Sequence, residues 1–405
     1  MVGQEGGFMI KRRDFLKIAA LSTVTMATSP LHAETATETP SVKSYRAIGK
    51  TGLKMSDISF GGGKLSAASM VLRAVDSGIT YFDTAPDYGQ SEKEIGEAMG
   101  RIQREKIIIA SKFCNAAPNP GHLPFGSKKK DYIAAVEGSL SRMKTDYLDF
   151  CLVHAIGSMS KDLEAEKKRL LDDEMLEAAA DLKKAGKIRF LGTSSHGPDN
   201  MEALLMTAVK SGHFDMIQPA FNFMNFPKLP EVMAEAYKLG MGVIAMKTLA
   251  GAKDMKIEGT KNEFPLAAFR WVLKNPEVSG LIVTMKTVAD MELYLKASGE
   301  KFTSADQRTL ERYARLYGSE YCRTGCGQCQ GSCAAGVEIA SIMRYRMYFR
   351  DYGMEKRAMQ SYALLKNKAT ACFACGDPAC VGSCPYGLPV QDMLCDAHES
   401  MSFMA

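Results

Sequence analysis

Between Tyr45 and about Ser304 the chain repeats one pattern eight times: a short run rich in β-branched residues, then an amphipathic helical stretch. The candidate strands are 57–62, 80–84, 107–112, 147–154, 188–194, 216–222, 242–247 and 280–285, with helical periodicity between them, as in 173–185 and 231–239. Parallel strands need a crossover that packs back onto the sheet, so serial strand–helix units predict a parallel sheet covered by helices. Units repeating every roughly 26–41 residues suit closure into a (β/α)8 barrel, which typically takes about 250 residues. An open doubly wound sheet is the competing layout, but no G-x-G-x-x-G follows the first strand, and Gly61-Gly62-Gly63 reads only as a turn. A hydrophobic share of 46% is enough for the large core of such a barrel.

In a barrel of this kind, function gathers at the C-terminal ends of the strands. Four polar residues fall there. Asp83 lies in Phe82-Asp83-Thr84-Ala85, and Tyr88 follows in Asp87-Tyr88-Gly89-Gln90-Ser91-Glu92. Lys112 closes Ala110-Ser111-Lys112, and His154 closes Leu152-Val153-His154. Singly, a strand-end aspartate caps a loop and a lone histidine sits satisfied in a core. Four at consecutive strand ends read as a site.

The order Asp83, Tyr88, Lys112, His154, with these local motifs, resembles the tetrad of the aldo-keto reductases. The opening Tyr45-Arg46-Ala47-Ile48-Gly49-Lys50-Thr51-Gly52-Leu53 is similar to the hairpin that closes the barrel bottom in that family. The resemblance implies reduction of an aldehyde or ketone, or oxidation of the alcohol, with NADP or NAD. A carbonyl that accepts hydride at carbon needs a proton at oxygen, and Tyr88 is the expected acid, with a free pKa of about 10. Lys112 is expected to lower that pKa, Asp83 to hold the lysine charged, and His154 to orient the carbonyl oxygen by donating a hydrogen bond.

The same resemblance implies the nucleotide contacts. Ser194 and Ser195 stand where the family has Ser-Asn for the carboxamide, and Gln218 matches its carboxamide-binding glutamine. Phe221 is the candidate for the ring that stacks on the nicotinamide. Lys286-Thr287 is similar to the Lys-Ser that receives an adenosine 2′-phosphate, although Glu292 replaces the arginine expected six residues on, which favours NADP over NAD less. Met246-Lys247-Thr248-Leu249 fills the place of the usual Ser-Pro-Leu turn. The loops 155–171 and 250–264 are expected to shape the substrate pocket.

Beyond the repeats the composition changes. Eight cysteines fall into two runs, Cys322, Cys326, Cys329, Cys333 and Cys372, Cys375, Cys380, Cys384, with Pro385 directly after. Their spacings are C-x3-C-x2-C-x3-C and C-x2-C-x4-C-x3-C-P. Zinc usually takes two C-x2-C pairs with a longer spacer, and disulfides occur in exported proteins, but so dense a soft-donor set suits iron–sulfur better. The runs resemble those of ferredoxins with two [4Fe–4S] clusters, in which three close thiolates hold one cluster and the fourth reaches the other. This implies that Cys384 joins Cys322, Cys326 and Cys329, and that Cys333 joins Cys372, Cys375 and Cys380. Ala334 stands where the first run would carry proline, and Asp377-Pro378 lengthen the second. Cys114, Cys151 and Cys395 read as ordinary small apolar residues. Residues 45–405 together resemble the aldo-keto reductase branch with a C-terminal ferredoxin-like domain, which implies a (β/α)8 TIM barrel over 45–304 followed by a small α-helical iron–sulfur domain over 305–405. Helical patterns at 339–351 and 355–365, rich in Met, Tyr and Arg, are expected to pack over the clusters, or to offer a face to a redox partner.

At the N-terminus, Lys11-Arg12-Arg13-Asp14-Phe15-Leu16-Lys17 matches the twin-arginine export signal in all but its first position. An apolar stretch from Ile18 to Ala27 and Ser29-Pro30-Leu31-His32-Ala33 complete a signal peptide over 1–33, followed by a Thr- and Glu-rich linker over 34–44. The apolar run is about half the roughly 20 residues of a spanning helix, so no membrane span is expected once the signal is removed. The expected location is periplasmic. Removing residues 1–33 takes away four basic and two acidic residues, and the formal charge falls from +5 to +3. No basic stripe interleaved with aromatics suggests nucleic acid. Expected partners are a small carbonyl or alcohol substrate and a redox protein or quinone-linked partner. The alternatives are an electron-transfer or nicotinamide-binding scaffold with an idle barrel, and a regulatory binding module.

Overall fold

A computed structural model of the protein describes residues 39–116, 120–197, 200–224, 228–251, 263–323 and 326–402. The signal segment 1–33 and linker residues 34–38 lie outside the described residues, as does most of the 250–264 loop. From Pro40 onward the chain forms one compact unit.

Strands β1 (Tyr45–Ala47) and β2 (Lys54–Ser56) form the expected antiparallel hairpin. Eight parallel strands follow: β3 (Ile58–Gly61), β4 (Tyr81–Asp83), β5 (Ile108–Lys112), β6 (Leu148–Val153), β7 (Ile188–Ser195), β8 (Met216–Pro219), β9 (Gly242–Ala245) and β10 (Gly280–Val283). They close into a barrel in chain order, with β10 pairing back onto β3 through Leu281, Ile282 and Val283. All eight expected strands are present, with ends within about three residues of the sequence reading.

The alternation of a strand decides which core each side chain enters. Along β6, Phe150 and Leu152 point inward to a core with Tyr81, Ile108, Met216 and Ile244, while Cys151 and Val153 join the outer layer between strands and helices. Ile48 and Met55 of the hairpin belong to the inner cluster and are fully buried, so the hairpin closes the barrel bottom. A side chain of this kind contributes roughly 1.5–3 kcal/mol when fully buried.

The helix Ser304–Tyr317, which the sequence reading assigns to the second domain, instead covers the barrel. It packs on the helix Glu263–Leu273, with the Phe264 and Tyr313 rings stacked at 4.2 Å and Arg270 paired to Asp306 at 3.0 Å. Tyr321 and Met347 extend the same core. The cysteine segment has a core of its own, formed by Ile342, Tyr348, Tyr362, Leu394 and Ala397 of the helices Ile339–Arg350, Glu355–Ala363 and Val390–Met401, with Cys372 and Cys380 buried among them. Among the described residues no helix is long and apolar enough to cross a membrane.

Candidate active site

The inward parity of each strand carries one polar side chain to the top of the barrel. Counting from the inner-core residues Tyr81, Ile108, Phe150 and Met216, the same face reaches Asp83, Lys112, His154 and Gln218. All four line a cleft of about 690 Å³, together with Tyr88 and Ser194. Strand pairing places Asp83 next to Ala110 and Lys112 next to Leu152, so the strand ends are neighbours around the rim.

Lys112 is almost fully buried. Its Nζ donates to both carboxylate oxygens of Asp83 at 2.9 Å and to the Thr84 carbonyl at 2.7 Å. The same Nζ lies 4.9 Å from the Tyr88 ring centre. Tyr88 Oη is 3.4 Å from His154 Nε2. The four residues of the tetrad are therefore linked in a chain, Asp83 to Lys112 to Tyr88 to His154, and the phenol and imidazole meet in the cleft.

One expectation about this group needs correction. Lys112 does not set the direction of the Tyr88 pKa. Burial raises it well above the ordinary value, and the carboxylates of Asp83 and Asp87 push the same way. The reason is geometric: the ammonium donates to Asp83 and Thr84 and lies 4.9 Å from the Tyr88 ring centre. Tyr88 is accordingly a phenol throughout the neutral range. His154 is held neutral, first by burial and then by neighbouring positive charge. Its main chain is fixed from behind, because Arg169 donates to the carbonyls of His154 and Ala155 at 3.1 Å while pairing with Glu166 at 2.8 Å.

The remaining expected nucleotide contacts divide. Gln218 Nε2 donates to Asp83 at 3.1 Å, and its Oε1 is buried in the cleft with no partner among the described residues. Ser194 Oγ accepts from the Ala155 N–H at 3.0 Å and lines the cleft. Ser195 faces the other way and donates to the Ile156 carbonyl at 2.8 Å. Phe221 does not enter the cleft. It falls on the outer parity of β8 and packs on Trp271 with ring centres 5.0 Å apart. Lys286 lines the cleft, but Thr287 caps the helix Val288–Leu295, accepting from the Asp290 N–H at 3.1 Å. Glu292 is paired with Arg73 at 3.0 Å.

Several cleft residues had no individual role in the sequence reading. Lys64, Lys247 and Arg357 add cationic side chains. Tyr348 and Tyr352, from the cysteine segment, roof the cleft, and Lys64 Nζ ties that roof to the barrel by donating to the Tyr352 carbonyl at 2.7 Å. Lys247 Nζ lies 5.6 and 4.6 Å from the two ring centres, and burial lowers its pKa to about 8. Burial alone would raise the Tyr348 hydroxyl, but Arg344, Arg357 and Lys247 bring it down to about 8. The helix face that the sequence offered to an outside redox partner is thus turned, at Tyr348, onto the barrel.

Cys114 and His122 also belong here, against the reading of Cys114 as an ordinary apolar residue. A β-bridge in the loop after β5 sets them opposite each other, and Cys114 Sγ lies 3.0 Å from His154 Nδ1.

The thiols gather across the two runs. Cys384 lines one pocket with Cys322, Cys326 and Cys329, together with Met343, Arg344 and Met347. Cys333 lies with Cys372, Cys375 and Cys380, whose thiols feel one another's charge. Burial and the neighbouring thiolates push the Cys322 thiol up to about 12 and the Cys372 thiol up to about 11. Four thiols held this closely ionise together only with positive charge among them, so each set is a candidate metal site.

Residues 59–265, just over half of the chain, match the Aldo/keto reductase family, and both cysteine runs lie beyond that match. L-galactose dehydrogenase of Arabidopsis thaliana is 27% identical over 306 residues, 65% of this chain and 91% of that protein. L-glyceraldehyde 3-phosphate reductase of Escherichia coli is 26% identical over 51% of this chain and 61% of its own length. The crystal structure of PA4992 from Pseudomonas aeruginosa, assigned to the aldo-keto reductases, has a TM-score of 0.51 at 26% identity, covering 62% of this chain and 94% of that one. Barrel, strand-end side chains and these likenesses agree: the chain belongs to the aldo/keto reductase family.

Proposed function

We propose that the protein reduces a small aldehyde or ketone, or oxidises the alcohol, with a nicotinamide cofactor, and that two [4Fe–4S] clusters couple this site to one-electron transfer. The observation that carries the reading is the contact of Tyr88 Oη with His154 Nε2 at the mouth of a cleft built on the Lys112–Asp83 pair. Bound there, a nicotinamide supplies the hydride. Tyr88, protonated at neutral pH, gives its proton to the oxygen of the reduced carbonyl, and His154 holds that oxygen by donating from Nε2. The open Oε1 of Gln218 and the Ser194 hydroxyl fit a carboxamide, and Lys286, Lys247 and Lys64 supply positive charge for phosphates. Supplying a broad panel of aldehydes and ketones with NADPH or NADH tests the reading, and no turnover with any member would reject it.

For the clusters, the fit rests on two sets of four thiols. [4Fe–4S] centres carry single electrons, and the ligands are Cys322, Cys326, Cys329 and Cys384 for one, Cys333, Cys372, Cys375 and Cys380 for the other. The helix Ile339–Arg350 lines the first thiol pocket with Met343, Arg344 and Met347, and lines the catalytic cleft with Tyr348. It thereby supports coupling within one chain, alongside an outside redox or quinone-linked partner. Anaerobically prepared protein is expected to hold about eight irons, and Cys384→Ala about half of them. Because Cys322 shares that site, Cys322→Ala/Cys384→Ala is expected to lose no more iron than either single variant. Near-complete loss in the double variant would instead mean that each run closes its own cluster.

Export by the twin-arginine route, with a periplasmic location, completes the proposal, on the strength of Arg12-Arg13 before Phe15-Leu16-Lys17. Replacing both arginines by lysine is expected to leave the protein in the cytoplasm. Unchanged distribution between cell fractions would remove this part alone.

A further inference from the structure

Behind the tetrad, four buried side chains of ligand type point their donor atoms at one spot. Asp87, Cys114, His122 and His154 come from three successive strand-end loops, and all four ligand atoms lie within 4.8 Å of one another. Cys114 Sγ is 3.0 Å from His154 Nδ1 and 3.6 Å from His122 Nδ1, and Asp87 Oδ1 is 3.9 Å from His154 Nδ1. The imidazoles meet edge to face, 4.3 Å between centres. Donors at about 2.0–2.3 Å around a tetrahedral zinc ion stand roughly 3–4 Å apart, and the three contacts at 3.0, 3.6 and 3.9 Å fall in that range.

We propose that Asp87, Cys114, His122 and His154 bind one zinc ion behind the catalytic cleft. The donor set, one thiolate, two imidazoles and one carboxylate, suits a borderline-soft divalent ion better than magnesium or calcium, which take oxygen. Charge favours it too: a thiolate and a carboxylate cancel the two positive charges of zinc, so a neutral assembly is buried rather than a bare ion. On loading, Cys114 gives up its thiol proton to the buffer. The scaffold is already in place. The Cys114–His122 bridge fixes the loop, the Gly121 N–H donates to Asp87 Oδ2 at 3.2 Å, and Asp87 Oδ1 stands 3.9 Å from His154 Nδ1.

The ion would act on the reaction through His154. With Nδ1 on the metal, the proton of the imidazole resides on Nε2, the nitrogen that faces Tyr88 and the substrate oxygen. Asp87, Cys114 and His122 are then positioning residues, and zinc fixes the donor tautomer of a catalytic one.

The test reads bound metal, so its failure and that of the carbonyl-reductase reading are separable. Protein grown with zinc and purified anaerobically without chelators is expected to carry about one zinc per chain beside its iron. Its zinc-edge X-ray absorption is expected to show one sulfur neighbour at about 2.3 Å and nitrogen or oxygen neighbours near 2.0–2.1 Å. Cys114→Ser and His122→Gln are each expected to drop zinc to trace levels with the iron content unchanged, the iron reporting that the variants fold. Absence of zinc from the wild type overturns the proposal. So does a shell of four sulfurs, which would place the ion in the cysteine runs, and so does full zinc retention by Cys114→Ser. Wild-type absorption decides the matter even where a variant fails to fold.

Discussion

Replacing Tyr88 by phenylalanine is expected to lower carbonyl reduction by roughly 10²–10⁴-fold, the loss typical of a positioned general acid, while leaving nucleotide affinity unchanged. The phenol oxygen meets His154 at 3.4 Å in the cleft, whereas the groups proposed for the nucleotide, Gln218, Ser194 and Lys286, are separate side chains on other strands and loops. The ring itself stays, so its packing over Lys112 is kept. The elevated pKa adds a pH signature. Burial and the two nearby carboxylates keep the proton on Tyr88, so the wild-type kcat/KM for reduction is expected to stay level through neutral pH and to fall only above pH 10, the ordinary tyrosine value. Steady-state rates and nucleotide titration on both proteins check this. Equal rates in wild type and Tyr88→Phe would mean that the barrel does not work as this reductase, and the nicotinamide-binding scaffold would become the better account.

Lys112→Met is expected to cost about 3–5 kcal/mol of stability as well as activity, the range for removing one partner of a buried ion pair. Lys112 and Asp83 keep only 1% and 4% of their side-chain surface exposed, so water cannot replace the lost ammonium. Asp83 would retain one donor, Gln218 Nε2, and the Thr84 carbonyl would lose its contact to Lys112. Restoring charge balance with the double variant Asp83→Asn/Lys112→Met is expected to recover part of the stability and none of the activity, because the carboxamide no longer needs a cation. Chemical unfolding of the three variants decides it. An unchanged midpoint for Lys112→Met would show that the pair contributes nothing to the fold.

These two experiments address residues whose places were legible in the sequence, and the reason is local. A strand has a period of two, so once a run such as Phe150 and Leu152 is known to face the barrel interior, the residue two further on faces it as well, and that residue is His154. The eightfold repetition fixed the barrel for the same reason: each unit declares its own strand and helix. The cysteine runs were visible because the spacing of their thiols is short.

What escaped the sequence depends on where distant segments meet. Phe221 was expected to be the stacking ring by resemblance to the family, but the strand ends at Pro219 and the outer parity carries the ring to Trp271. Tyr348 lies 152 positions from His196, its hydrogen-bond partner, and only the docking of the cysteine segment brings it over the cleft. The direction of the Tyr88 pKa required knowing that Lys112 spends its hydrogen bonds elsewhere. Cys114 and His122 are unremarkable letters until a loop bridge and β6 set them against His154. Periodicity and short spacings are properties of a chain, so the sequence by itself determined the barrel, the strand-end tetrad and the two thiol runs. Side-chain convergence, burial and the balance of charge in a pocket arise from packing between segments far apart, so only the tertiary structure decided what surrounds that tetrad.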